Sequence, residues 1–191
     1  GVYGGTGTNL TAANLNVDPE KNDEYEIGAQ WDITKGLQIR SAIFRNEKTN
    51  GRVNDPVLGE SVQIGRRRVD GVELEATGQI TRQWQIYAAA AYMDGKVLGG
   101  GTLNPDGSTT LGGKTMTIPR WSGNVWSKYD FGHGWQAGLG VQMTSGRWAD
   151  EANRGEIPGY ALVNAMIGYL QPEWDVQLNV NNIFDKRFYI A

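Results

Sequence analysis

From Trp174 to Asn181 the chain alternates without a break. Trp174, Val176, Leu178 and Val180 fall on one side, and Asp175, Gln177, Asn179 and Asn181 on the other. Successive strand side chains point to opposite faces, so this stretch is a strand with one apolar and one polar face. Its polar face is rich in amides. The same pattern recurs in seven earlier segments, and what the chain can become depends on what each face meets. No run approaches the ~20 apolar residues that a membrane helix needs; the most apolar stretch, Tyr87 to Met93, is far too short. Glycine, at 27 of 191 residues, is about twice its usual share. With seven Trp, eight Tyr and six Pro, this composition points to an all-β chain.

Residues 1–20 read as irregular, rich in Gly and Thr, and carry neither the basic start nor the apolar centre of a signal peptide. The first strand is expected over Asp23–Ile33, with Tyr25, Ile27, Ala29 and Trp31 on one face. Thr34-Lys35-Gly36 makes a tight turn, for which Gly36 is expected to supply a positive φ. The second strand covers Leu37–Lys48 and a polar loop covers Thr49 to Ser61. The third strand covers Gln63–Ile80, and Thr81-Arg82-Gln83 turns it into the fourth, Trp84–Val97. Next come a Gly-rich loop from Leu98 to Thr117, a fifth strand over Ile118–Phe131 and the turn Gly132-His133-Gly134. A sixth strand, Trp135–Arg147, leads to a polar loop from Trp148 to Ile157. The seventh strand, Gly159–Leu170, and Gln171-Pro172-Glu173 lead into the opening stretch.

The expectation is eight strands in four hairpins, with short turns at one end and loops of about 10 to 20 residues at the other. Alternation alone fits a soluble sandwich as well as a membrane barrel. The turn-and-loop asymmetry is that of outer-membrane barrels, which have short periplasmic turns and long extracellular loops. The aromatics point the same way. Trp31, Trp84, Tyr129, Trp135, Tyr169 and Trp174 all stand in the outward phase beside a short turn, as a girdle at one membrane interface would. The apolar face is therefore expected to meet lipid, and the polar face a water-filled or plugged lumen. A soluble β-sandwich module binding carbohydrate or another ligand is the alternative, in which Trp31, Trp84 and Trp174 would be core or sugar platforms. Both chain ends fall on the long-loop side and no returning strand follows Ala191. A barrel must close on itself, so the chain reads as an antiparallel up-and-down transmembrane β-barrel segment.

Three pieces carry a family resemblance: Val17-Asp-Pro-Glu-Lys-Asn-Asp-Glu-Tyr-Glu-Ile-Gly-Ala-Gln-Trp31, Arg68-Val-Asp-Gly-Val-Glu-Leu-Glu-Ala-Thr-Gly-Gln-Ile-Thr81, and Leu178-Asn-Val-Asn-Asn-Ile-Phe-Asp-Lys-Arg-Phe-Tyr189. Together they resemble the C-terminal part of the barrel of TonB-dependent siderophore receptors, closest to the catecholate-type group. The resemblance implies a 22-stranded outer-membrane barrel with an N-terminal plug, importing ferric siderophore with energy supplied through TonB. Residues 1–191 would be the C-terminal portion of that barrel, with plug domain, TonB box and closing strand lying outside it. The cell outer membrane of a Gram-negative bacterium, its lipid, a ferric siderophore and TonB are the location and partners that follow. No resident cofactor is implied.

Other constellations are weaker. Glu73 and Glu75 share the lumenal face at the spacing of a carboxylate pair, but lumenal carboxylates facing a plug or water explain them better. His133 is the single histidine and lies in a turn, and there is no cysteine. A Ser–His triad and a zinc site therefore lack support, and no enzyme activity is expected. Arg66-Arg67-Arg68 reads as an extracellular strand extension. With 18 basic against 21 acidic residues, the chain offers no nucleic-acid surface. Ferric catecholates are anionic, flat and aromatic, and arginine offers charge and stacking together. Arg67, Arg120 and Trp148, inward above the membrane zone, and Arg154 in the third long loop are the candidate ligand contacts.

Overall fold

A computed structural model describes residues 18–54, 61–101, 109–115, 117–150 and 152–190. In chain order its strands are β1 (Lys21–Thr34), β2 (Leu37–Asn54), β3 (Ser61–Gln79), β4 (Trp84–Gly99), β5 (Trp121–Gly132) and β6 (Trp135–Thr144). A short ribbon of β7 (Arg147–Trp148) and β8 (Glu156–Ile157) follows, then β9 (Tyr160–Leu170) and β10 (Asp175–Val180). The eight long strands form one antiparallel sheet in the order β1-β2-β3-β4-β5-β6-β9-β10, an up-and-down meander, and β7 pairs only with β8.

Register keeps the two faces separate across the whole sheet. Directly opposed residues run Ala29, Ser41, Leu74, Ala90, Gly123, Met143, Ala161 from β1 to β9. One residue along, the opposed set is Gly28, Ala42, Glu73, Ala91, Ser122, Thr144, Tyr160. A slip of one residue at any pairing would exchange these rows. Almost nothing is buried by this arrangement. Among the described residues Val97 and Met166 are the buried core hydrophobics, while Trp31, Trp84, Trp135 and Trp174 stay 52%, 38%, 49% and 53% exposed. A soluble sandwich would bury its indoles between two stacked sheets. Here, among the described residues, one sheet stands with only a short two-stranded ribbon beside it. The sandwich alternative is therefore wrong.

The outward aromatics form the expected lower belt. Trp84 lies opposite Tyr129 and donates Nε1–H to Ser127 Oγ at 2.8 Å. The rings of Trp135 and Tyr169 are 4.7 Å apart, and those of Tyr169 and Trp174 5.7 Å. A second belt, not singled out in the sequence, stands at the other end: Tyr92 against Trp121 at 4.7 Å, with Tyr25 exposed. Trp84 and Tyr92 belong to one strand, and their separation is about 26 Å along it, or about 20 Å of depth at the usual tilt. That is somewhat less than the ~25 Å apolar band of outer-membrane barrels.

Three local expectations need correction. Gly36 is not in the left-handed region; Thr34 Oγ1 closes the turn instead, accepting from Gly36 N and Leu37 N at 3.2 and 3.1 Å. Thr81 does the same for Gln83 and Trp84, so these hairpins are capped by a threonine hydroxyl. The first long loop is also shorter than expected, because β2 continues to Asn54 and β3 begins at Ser61. Past Lys48 the register shifts and pairing resumes at Gly51 opposite Gly65. Finally, the third long loop contains strand residues, Trp148 in β7 and Glu156–Ile157 in β8.

The lumenal face carries an aromatic–glycine packing that alternation alone did not disclose. Trp126 on β5 lies across Gly138 and Gly140 on β6, where a Cβ at Gly138 would meet Trp126 Cζ2 at 2.7 Å. Phe44 covers Gly71 in the same way, the close approach that a glycine within a strand permits. After β10, Asn182 turns the chain in the left-handed conformation. Its side chain accepts from Lys186 N at 2.9 Å and donates to Lys186 O at 3.0 Å, while Asn164 Oδ1 accepts from its backbone N–H at 2.8 Å. Phe188 then stacks on Tyr160 at 4.6 Å. The Asn-Ile-Phe-Asp-Lys-Arg-Phe element is thus a pinned turn at the end of a strand.

Two predictions follow from this exposure and packing. Sedimentation with and without detergent micelles will find the chain dispersed only with them; a dispersed monomer in plain buffer would contradict the lipid-facing assignment. Gly140→Val drives a side chain into Trp126 and will cost about 1–3 kcal/mol. Ala137→Val, on the lipid-facing side of the same strand, will change stability by less than about 0.5 kcal/mol. Melting of the two variants in micelles compares them.

Candidate functional site

Above the upper belt the strands have unequal lengths, and this builds a pocket. Pairing of β4 with β5 ends at Tyr92 opposite Trp121, yet β4 continues to Gly99. Its remaining backbone groups need partners, and the second long loop folds back to supply them. Val97 N donates to Gly113 O at 3.0 Å, Gly112 N to Val97 O at 2.8 Å, and Thr115 N to Gly95 O at 3.2 Å. Arg120 O accepts from Met93 N at 2.9 Å, and Trp148 O accepts from Thr117 N at 2.8 Å. The upper ends of β4 and β5, Ser145 and Gly146 just after β6, this returning loop and the β7–β8 ribbon line a cavity of about 470 Å³. Arg120, Arg147, Trp148, Lys114, Asp94 and Glu156 are among its lining residues.

The charges in this pocket are unequally committed. Asp94 binds Lys114 and, at 3.3 Å, Lys96. Hydrogen bonding from Lys114 holds its carboxyl below the usual value of 3.8, against a smaller opposing effect of burial. A carboxylate depressed in this way contributes stability that is complete above its unfolded pKa and lost as pH falls through the folded one. Lys114 is thus occupied. Among the described residues neither Arg120 nor Arg147 has an ion-pair partner, and both line the pocket that Trp148 lines.

Of the sequence-predicted contacts, Arg120 and Trp148 come together in this pocket. Arg67 does not line it; it stands on β3 opposite Lys48, with its guanidinium over Gly51. Arg154 is exposed at the ribbon's turn, its backbone N–H on Asp150 Oδ1 at 3.1 Å. The sequence reading missed Arg147 and Lys114. Arg147 looked like the last residue of a long strand, and only the break in pairing after Thr144 turns it towards Arg120's pocket. Arg66 and Arg68 are on the lipid-facing side above the belt. There Arg66 binds Glu47, whose carboxyl it lowers by hydrogen bonding, and Arg68 and Arg45 reach Asp70 at 3.1 and 2.6 Å. Glu73 and Glu75 line a separate lumenal trough of about 640 Å³ with Asn124 and Gln142. His133 is exposed in its turn.

A family model described as TonB dependent receptor-like, beta-barrel, matches residues 1–183. The probable TonB-dependent siderophore receptor PiuA of Acinetobacter baumannii is 34% identical over 99% of this chain and 27% of its own length. The ferrioxamine B receptor of Salmonella typhimurium is 28% identical over 97% of this chain and 27% of its own. The crystal structure of PiuA covers 94% of this chain with a TM-score of 0.83 at 32% identity, using 26% of that receptor. The ferric-catecholate import receptor Fiu of Escherichia coli K12 covers 98% with a TM-score of 0.78 at 26% identity, again using 26% of its chain. The chain thus spans about a quarter of the length of the relatives it matches. It belongs to the TonB-dependent receptor β-barrel family, whose members reside in the outer membrane of Gram-negative bacteria.

Proposed function

We propose that residues 1–191 are the C-terminal part of the barrel of a receptor that binds ferric siderophore outside the cell and imports it with energy delivered through TonB. Plug, TonB box and closing strand belong to the rest of that receptor. The free edges of β1 and β10 would join neighbouring strands there, since an edge in lipid must be paired. The segment carries recognition and gating; no covalent step is assigned to it.

One observation carries the choice of ligand: among the described residues Arg120 and Arg147 have no ion-pair partner and share a pocket with Trp148 above the upper belt, while the neighbouring lysines are held by Asp94. Guanidinium groups bind anionic oxygens and stack on flat rings. An anionic, aromatic ferric catecholate fits this set, with Arg120 and Trp148 as principal contacts, Arg147 beside them, and Arg67 and Arg154 further out. A relative is named as a ferrioxamine B receptor, but two arginines without an ion-pair partner among the described residues favour an anionic complex.

Titrating the complete receptor with the ferric complex of 2,3-dihydroxybenzoate tests this. Arg120→Ala and Trp148→Ala will each weaken binding about ten- to a hundredfold, as expected for lost charged hydrogen bonds or stacking. Ferrioxamine B will bind the wild type more weakly than the catecholate. Wild-type affinity in both variants, or the reverse ligand preference, would overturn the assignment.

A further inference from the structure

We infer that Asn153 is a positioning residue for ligand recognition, because its carboxamide clasps the second long loop to the β7–β8 ribbon. The inference rests on the ligand reading just given. Lys114 N donates to Asn153 Oδ1 at 2.8 Å, and Asn153 Nδ2 donates to Lys114 O at 2.9 Å. A side-chain amide thereby makes the pair of hydrogen bonds that two strand residues exchange in an antiparallel ladder, across a sequence separation of 39 residues. The geometry is built to present it. Asn153 has φ 54°, a left-handed conformation that Asn tolerates better than most residues. Its backbone N–H donates to Asp150 O at 3.2 Å, and Ala149 N closes the ribbon onto Gly155 O at 2.8 Å. A Cβ at Gly113 would stand 3.1 Å from Asn153 Oδ1, so the loop leaves room for the amide.

The clasp bears on the pocket through its neighbours. Lys114 is held on the Asp94 side, and three residues on Thr117 N reaches Trp148 O at 2.8 Å. Loop and ribbon are then one body, with Trp148 and Arg147 on the ribbon side and Arg120 on the loop side of the same cavity. With the carboxamide removed, loop and ribbon can separate. The arrangement that places all three groups around one ligand becomes a fraction of the population, and apparent affinity falls by that fraction.

The variant that isolates the side chain is Asn153→Gly, since glycine keeps the left-handed backbone without strain. Asn153→Asp retains the acceptor for Lys114 N and loses the donor to Lys114 O. In the complete receptor, Asn153→Gly will weaken binding of ferric 2,3-dihydroxybenzoate about five- to tenfold, with Asn153→Asp between it and wild type. Hydrogen exchange will rise at the Lys114 and Thr117 amides, while the melting temperature of the barrel stays unchanged. Combined with Trp148→Ala, Asn153→Gly will add less than about twofold, because both act through the same contact. Wild-type exchange at Lys114 in Asn153→Gly would overturn the clasp. Wild-type affinity in Asn153→Gly, or full additivity with Trp148→Ala, while Trp148→Ala alone is weakened, would overturn its positioning role. Wild-type affinity in Trp148→Ala and Arg120→Ala would instead bring down the ligand reading, leaving the exchange result to judge the clasp.

Discussion

Backbone N–H and C=O groups placed in hydrocarbon have no water to turn to, so each must be satisfied by a neighbouring strand. The sheet and the separation of its two faces follow from that requirement. It forces continuous register from β1 to β10 within the membrane zone, and continuous register fixes parity. Once Leu74 faces lipid, Ala90, Gly123 and Met143 must face it too, and Glu73, Ser122 and Thr144 must face the other way. The chain needs no buried core because its apolar surface is matched to lipid, and its polar surface to a lumen.

The requirement ends at the upper belt, and the structure changes character there. Register shifts appear after Lys48 and between Arg66 and Arg67. Arg45, Glu47, Arg66, Arg68 and Asp70 trade ion pairs on the outer side, in a position where lipid tails no longer exclude charge. A loop returns to pair with β4 because β5 starts too low to do so. Irregular backbone is admissible only outside the membrane zone, and the pocket with Arg120, Arg147 and Trp148 lies above it. Rigid strands below hold the bases of those loops, an arrangement common where binding groups sit on loops over a fixed scaffold.

The strands and their faces were legible because strict two-residue alternation over Trp174–Asn181 or Trp135–Met143 has one structural meaning. The lower belt was legible because its aromatics lie beside recognisable turns. The upper belt was not, since Tyr92 and Trp121 are far from any turn and meet only through the β4–β5 register. Turn chemistry misled at Gly36, where Thr34 does the work that a positive φ would otherwise do. Arg120 and Trp148, chosen from sequence for charge and stacking, line one pocket. The choice could not extend to Arg147, whose environment is set by the end of pairing at Thr144 and the ribbon beyond it. Nor could it find Asn153, whose partner lies in another loop.

The separation of a lipid-facing and a lumenal face along each strand is the claim on which the rest stands. The sequence contains no cysteine, so single cysteines can be introduced along β5 and spin-labelled in receptor reconstituted into bilayers. Accessibility to oxygen, which concentrates in lipid, is then compared with accessibility to a water-soluble nickel chelate at Ser122, Gly123, Asn124, Val125, Ser127 and Lys128. High oxygen accessibility is expected at Gly123, Val125 and Ser127 and the reverse at Ser122, Asn124 and Lys128. Equal chelate accessibility at both sets, or oxygen accessibility without a two-residue period, would contradict it.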